Sequence, residues 1–307
     1  MKTPGLGDIA AAAQRLSGHI HRTPVMTSAS LNEAVGAELF FKCENFQRTG
    51  SFKLRGAMNA TLQLSQDVST VVTHSSGNHG AALAFAARAC GKTAMVVVPK
   101  DARPEKRLAI ERLGAEVVDC GEKLADREAV LAEVMASQPE AVFVPPYDHA
   151  EIIAGQGTAA FELLEEVGDL DQLWVPVGGG GLAAGTTIVA NGQIDVICAE
   201  PELARDAHDS LAMGDLQPAM PPHTVADGLR TALGKLNFEI LRRNKVAVVL
   251  VDDEAIVRAM GLIWNRLKIV VEPSAAVCLA AMLLDPQRVA KRAGIILTGG
   301  NISPPGP

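Results

Sequence analysis

Apolar residues arrive along this chain in two rhythms. Short, nearly continuous apolar runs recur at AELFFKCE (37–44), TVVTHS (70–75), TAMVVVP (93–99), AEVVDC (115–120), AVFVPP (141–146), QLWVPV (172–177), IDVICAE (194–200), VAVVLVDD (246–253) and AGIILTGG (293–300). Between them lie alanine-rich stretches with helical periodicity, such as HGAALAFAARACG (79–91), PEKRLAIERLG (104–114) and ADREAVLAEVMASQ (125–138). Strands that are apolar at almost every position are covered on both faces. Their alternation with helices predicts an α/β fold of two open, mostly parallel, twisted sheets with flanking helices. The tight β–α units from 70 to 146 predict a small domain inserted into a larger one made of 1–69 and 147–307. No internal repeat, low-complexity tract or long linker interrupts the alternation.

Composition then narrows the classes of function. At 307 residues and 48% hydrophobic the chain can bury a large core, although only 4% of its residues are aromatic. A formal net charge of −7 is the wrong sign for a nucleic-acid footprint. Cys43, Cys90, Cys120, Cys198 and Cys278 are odd in number and show no CxxC spacing. They read as reduced thiols of a cytoplasmic protein, not as a disulfide frame or zinc site. Neither a signal-peptide pattern nor an apolar run of membrane-spanning length is present, so no membrane partner is expected.

The chemistry concentrates in glycine-bearing loops after strands, where open α/β sheets bind ligands. These are THSSGNHG (73–80), VPVGGGGLAAG (175–185), VADGLRTA (225–232) and LTGGN (297–301). Gly178, Gly179, Gly180 and Gly181 precede a helix, so their N–H groups can converge on an anion, with phosphate the natural occupant. The same segment satisfies a rival reading. Gly178, Gly180 and Ala183 match the dinucleotide fingerprint, and Glu200 ends the next strand where a ribose-binding acid belongs. An NAD-dependent oxidoreductase therefore stays open at this point. A further loop, TGSFKLRGAMNA (49–60), places Lys53 in the first turn of a helix, with Thr49 or Ser51 predicted as its N-cap and Gly50 as the preceding turn. The helix dipole disfavours an ammonium there. Most single lysines are solvated, but one held this way can serve as a nucleophilic amine.

Taken together, SFKLRG, SSGNHG, GGGG and TGGN resemble, in order and spacing, the fold-type II pyridoxal-phosphate enzymes, which share a tryptophan synthase β-like fold. The similarity is greatest to the serine/threonine dehydratase and serine racemase branch. HRTPV (21–25), FFKCENFQRTGSFKLRGAMNA (40–60), IIAGQGT (152–158), AEP (199–201), ADGL (226–229) and EPSAAV (272–277) carry it over nearly the whole chain. With no regulatory extension after Asn301, the feedback-controlled type of threonine deaminase is not expected.

The resemblance implies roles. Lys53 would carry pyridoxal 5′-phosphate as a Schiff base, Phe52 would pack on its ring, Asn78 would bond its phenolic oxygen, and Gly178 to Gly181 would hold its phosphate. Ser75, Ser76 and His79 would grip the substrate carboxylate, with Ser76 also the acid on the opposite face in a racemase. Thr298 would meet the pyridine nitrogen with a hydroxyl, which favours β-elimination over transamination, and Glu272 would lie near the ring. Glu200, Ala204 and Asp206 match a magnesium or calcium set, for which all-oxygen ligation is suited. The implied activity is ammonia loss from serine, threonine or 3-hydroxyaspartate, with racemisation as the alternative, in a homodimer. For a second substrate carboxylate, Arg230 after the ADGL loop and Arg127 in the small domain are the candidate guanidiniums.

Overall fold

The computed structural model describes residues 2–302 apart from Ser76, Asp101, Arg103, Glu122, Lys123 and Pro222. Among them, ten strands form two sheets. The larger has the order β1 (Val25–Met26), β2 (Glu38–Cys43), β10 (Arg292–Leu297), β7 (Gln172–Pro176), β8 (Asp195–Pro201) and β9 (Ala247–Val251). Its strands are parallel except β1, which pairs antiparallel with β2. The smaller sheet runs β5 (Glu116–Cys120), β4 (Thr93–Pro99), β3 (Thr70–His74) and β6 (Val142–Phe143), all parallel.

Both faces of the larger sheet are covered, as the unbroken apolar runs require. Along β10, Ile295 and Leu297 point into one core with Phe41, Trp174 and helices α11 (Asp253–Leu267) and α12 (Pro273–Leu284). Ile296 points the other way, into a core with Val175 and Cys198 that is closed by α1 (Leu6–Leu16), α7 (Ala150–Val167), α8 (Gly181–Ala190) and α10 (Lys235–Arg243). This is the period of two expected of a strand.

The strands lie where the apolar runs put them, with two differences. The run AVFVPP yields only Val142–Phe143, because Pro145 and Pro146 have no N–H to give a ladder. The edge strand Val25–Met26 is too short to show any period in sequence. The helix that carries the lysine, α3 (Lys53–Leu62), also begins differently. Its N-cap is Phe52, not Thr49 or Ser51, and no side chain caps it. Gly50 turns the chain at φ +73°, where an added Cβ would lie 2.1 Å from Asn301 Oδ1. That turn commits Ser51 to a bridge with Gly299 instead of to the helix.

Candidate active site

The loops with chemical promise meet between the sheets, at the carboxyl ends of the parallel strands. The segment after β2 is laced to the segment after β10. Phe52 N–H donates to the Thr298 carbonyl (3.0 Å), Gly300 N–H to the Gly50 carbonyl (2.9 Å), and Asn301 Nδ2 to the Thr49 carbonyl (2.8 Å). Asn301 Nδ2 also donates to Asn78 Oδ1 (2.8 Å), and Asn78 Nδ2 donates to Glu272 Oε1 (2.8 Å). Asn78 opens helix α4 (Asn78–Ala89) at the end of the small sheet, so this chain of amides joins the two sheets. It also sets the amide's orientation: Oδ1 accepts from Asn301, and of the two N–H groups on Nδ2 one is used on Glu272.

Lys53 Nζ donates to the Pro146 carbonyl (2.8 Å) and lies 5.3 Å from the Phe52 ring centre and 5.9 Å from that of Tyr147. Burial lowers its pKa to about 8, against the pull of the Glu272 charge. Desolvation thus pushes the amine toward its neutral form. Burial raises Glu272 to about 7, with Asp227 pushing the same way and Lys106 opposing. Lys106, on α5 (Pro104–Arg112), is ion-paired with Asp227 across the cleft.

The tetraglycine loop leads from β7 into α8, and Gly180 is its N-cap at φ +87°. Among the described residues, no hydrogen-bond acceptor meets the N–H groups of Gly178 to Gly181. A Cβ at Gly179 would lie 2.4 Å from the Tyr147 ring, and one at Gly180 would lie 2.5 Å from Leu233 Cδ1. Only glycine leaves room there. Tyr147 is held in turn by Thr231 Oγ1, which donates to its hydroxyl (2.9 Å). Tyr147 escaped the sequence reading, although it is the chain's sole tyrosine and follows the double proline.

The other expected residues fall into three groups. Thr298 Oγ1 and Ser51 Oγ are buried with no partner. Ser75 Oγ accepts the Gly77 N–H (3.2 Å), and Ser76 lies outside the described residues. The ring of His79 departs from expectation. It is 2% exposed, its Nε2 is 3.1 Å from the Val144 carbonyl, and burial lowers its pKa to about 3. A side chain locked there braces α4, and only its first-turn N–H is left for a carboxylate. Arg230 likewise has another task, since Nε (2.8 Å) and Nη2 both donate to the Thr224 carbonyl and close their own loop. Burial lowers the pKa of His74, at the end of β3, and the Arg127 charge adds to that effect.

Glu200 ends β8 with Oε1 and Oε2 accepting the N–H groups of Ala207 (2.9 Å) and His208 (2.8 Å), in the first turn of α9 (Asp206–Met213). Both oxygens thus cap the first turn of α9, a structural role that the dinucleotide reading of Glu200 did not anticipate. Asp206 Oδ2 accepts the Leu233 N–H (2.8 Å). Burial raises Glu200 to about 9 and Asp206 to about 6, and each lacks a cationic partner among the described residues. Ala204, buried in the short 3-10 turn between them, completes the expected set. Among the described residues, no cluster of three or more His, Cys, Asp or Glu side chains could hold a metal, so a cation here would depend on that carbonyl and on water.

Fold and site define a two-sheet α/β protein in which a desolvated lysine and a glycine loop whose N–H groups lack acceptors both border Tyr147. The family model described as "pyridoxal-phosphate dependent enzyme" matches residues 16–299, and the chain belongs to that family. It is 46% identical to a serine racemase of Dictyostelium discoideum over 98% of this chain and 96% of that one. It is 44% identical to a beta-hydroxyaspartate dehydratase of Paracoccus denitrificans over 98% of each. The crystal structure of the Dictyostelium discoideum serine racemase superposes with a TM-score of 0.93 at 44% identity, covering 98% of this chain and all of the other.

Proposed function

We propose that this chain is a pyridoxal-phosphate-dependent ammonia-lyase that dehydrates and deaminates a β-hydroxy amino acid. The observation that carries the reading is Lys53 Nζ, desolvated to a pKa of about 8 and 5.9 Å from the centre of the Tyr147 ring, which packs on a glycine loop whose N–H groups lack acceptors. These residues fit the cofactor: Gly178 to Gly181 take its phosphate, Phe52 its ring, Asn78 its phenolic oxygen and Thr298 Oγ1 its ring nitrogen. Bound there, pyridoxal phosphate supplies an electron sink beside the α-carbon of an amino acid, so that the α-hydrogen is acidified and a β-hydroxyl can leave. Lys53 Nζ, neutral for part of its time near pH 8, takes the α-proton at that atom. Ser75 and the first-turn N–H groups of α4 orient the carboxylate. The β-hydroxyl leaves as water, and the released enamine, through its imine form, takes up water to give a 2-oxo acid and ammonia, so the net loss is ammonia alone.

Serine, threonine and 3-hydroxyaspartate share the required β-hydroxyl. Among them the Paracoccus relative's name favours 3-hydroxyaspartate. Of the two candidate guanidiniums for its second carboxylate, Arg230 is already engaged with the Thr224 carbonyl. A second reading, racemisation, is favoured by the name of the Dictyostelium relative. It needs an acid on the face opposite Lys53, for which Ser76 is our candidate. Glu200, Ala204 and Asp206 would hold magnesium or calcium, whose charge would balance two buried carboxylates. We further treat 70–146 as a small domain that carries the substrate loop, in a cytoplasmic homodimer. Among the described residues no helix is long and apolar enough to cross a membrane.

Comparing kcat/KM for 2-oxo acid release from serine, threonine and threo-3-hydroxyaspartate tests the activity and ranks the substrates. We expect turnover of all three, with 3-hydroxyaspartate at least equal to serine. Absence of 2-oxo acid from every one overturns the lyase reading. Ser76→Ala is expected to keep turnover of the L-isomer while losing racemisation. Equal losses for both isomers reduce Ser76 to carboxylate binding.

A further inference from the structure

The stretch IIAGQGT, in the middle of α7, touches nothing that the reaction uses directly, yet four consecutive residues of it grip the two helices that do. An added Cβ on Gly155 would lie 2.6 Å from the Arg55 carbonyl oxygen and 2.6 Å from Gly56 Cα, both backbone of the lysine helix α3. Gln156 Oε1 accepts the Gly56 N–H (3.2 Å). Thr158 Oγ1 accepts from Arg55 Nη1 (3.1 Å) and donates to the Gly155 carbonyl (2.6 Å). On the other side, Gly157 meets α8, the helix that the tetraglycine loop opens. A Cβ on Gly185 would lie 2.6 Å from Gly157 N and 2.7 Å from the Ile153 carbonyl oxygen. Helix α7 is thus a spacer in backbone contact with α3 through one glycine pair and with α8 through another.

We infer that Gly155, Gln156, Gly157 and Thr158 are positioning residues that set the separation of Lys53 from the phosphate-binding glycines. The spacing is stiff because what an added Cβ on Gly155 or Gly185 would meet is main chain, which cannot yield by changing rotamer. The requirement is geometric: a cofactor anchored at its phosphate presents its aldehyde at a fixed reach, and Lys53 Nζ must stand there. Misplacement by about 1 Å is enough to lose a large part of such an interaction. This inference rests on the cofactor assignment above.

Two ligands separate the anchors. Pyridoxal 5′-phosphate can bond to Lys53, whereas pyridoxine 5′-phosphate lacks the aldehyde and reports only the phosphate loop and ring contacts. Their dissociation constants are measured on the full chain stripped of cofactor, with folding checked by circular dichroism. For Gly155→Ala, which displaces α3, we expect pyridoxine phosphate affinity within about threefold of wild type and pyridoxal phosphate affinity lowered by about tenfold or more. For Gly185→Ala, which displaces α8, both affinities fall together. Should these glycine variants fail to fold, Gln156→Met removes the hydrogen bond to Gly56 without adding bulk. It is expected to narrow the difference between the two ligands by about threefold or more. An unchanged difference in Gly155→Ala or Gln156→Met, or equal losses of both ligands in either, overturns the inference. If wild-type protein binds neither ligand, the cofactor assignment itself has failed.

Discussion

Lys53 and Glu272 occupy one buried pocket and are moved by burial in opposite chemical senses, the lysine toward neutral amine and the carboxyl toward neutral acid. Glu272 gives a direct test of that electrostatics. Its folded pKa of about 7 stands above the ordinary 4.5, so between those values the folded chain holds a proton that the unfolded chain has released. Stability must therefore fall as pH rises from 4.5 to 7. Glu272→Gln removes this loss while keeping an acceptor for Asn78. Urea denaturation of the cofactor-free protein should show variant and wild type alike near pH 4.5. By pH 7 the variant should be ahead by up to a few kcal/mol, at ~1.4 kcal/mol per unit. Parallel curves would mean that Glu272 is ionised in the fold throughout. At this level the sequence was informative where a residue type has few uses: a lysine opening a helix, four adjacent glycines, a threonine after the last strand. It failed for Tyr147, whose place over Gly179 is set by the path of the chain between the sheets. It failed too for the hydroxyls of Thr49 and Ser51, since capping competes with a bridge to Gly299 that no local pattern announces.

Helix α3 owes its position to a charge cluster as much as to the glycine contacts. Arg55 is fully buried, and all five of its N–H groups are used: two on Glu44, two on Glu162 and one on Thr158. Lys42 Nζ pairs with Glu162 (2.7 Å), so two cations balance two carboxylates in the interior. Removing one member leaves a buried charge uncompensated, which costs about 3–5 kcal/mol. Arg55→Met is expected to lose that much stability in denaturant titration. A loss below about 1 kcal/mol would show water reaching the cluster and screening it. The elements themselves were mostly legible, because parallel strands buried on both faces are apolar without interruption. The lapses, Val25–Met26 and the truncated Val142–Phe143, are strands too short for a period to exist. The ion cluster was not legible at all, as Arg55, Glu44 and Glu162 are far apart in sequence and each reads alone as a surface residue.

Across the whole molecule, the expected cation set and the expected cofactor cradle are mechanically joined. Asp206 holds the Leu233 N–H, and Leu233 packs where Gly180 leaves no room for a Cβ. Chelation should therefore lower the Tm, and magnesium or calcium should restore it by binding the folded state. A Tm indifferent to both would leave Glu200 and Asp206 as buried acids that carry protons instead of a cation. The central claim is that Lys53 is the residue through which this protein holds pyridoxal phosphate and does its chemistry. The most direct test is the visible absorption spectrum of wild-type and Lys53→Ala protein with pyridoxal phosphate, before and after borohydride, beside 2-oxo acid release. Wild type should show a borohydride-sensitive chromophore, and Lys53→Ala should lose it together with about 10³-fold or more of the rate. A Lys53→Ala protein that stays coloured, borohydride-sensitive and substantially active would contradict the account.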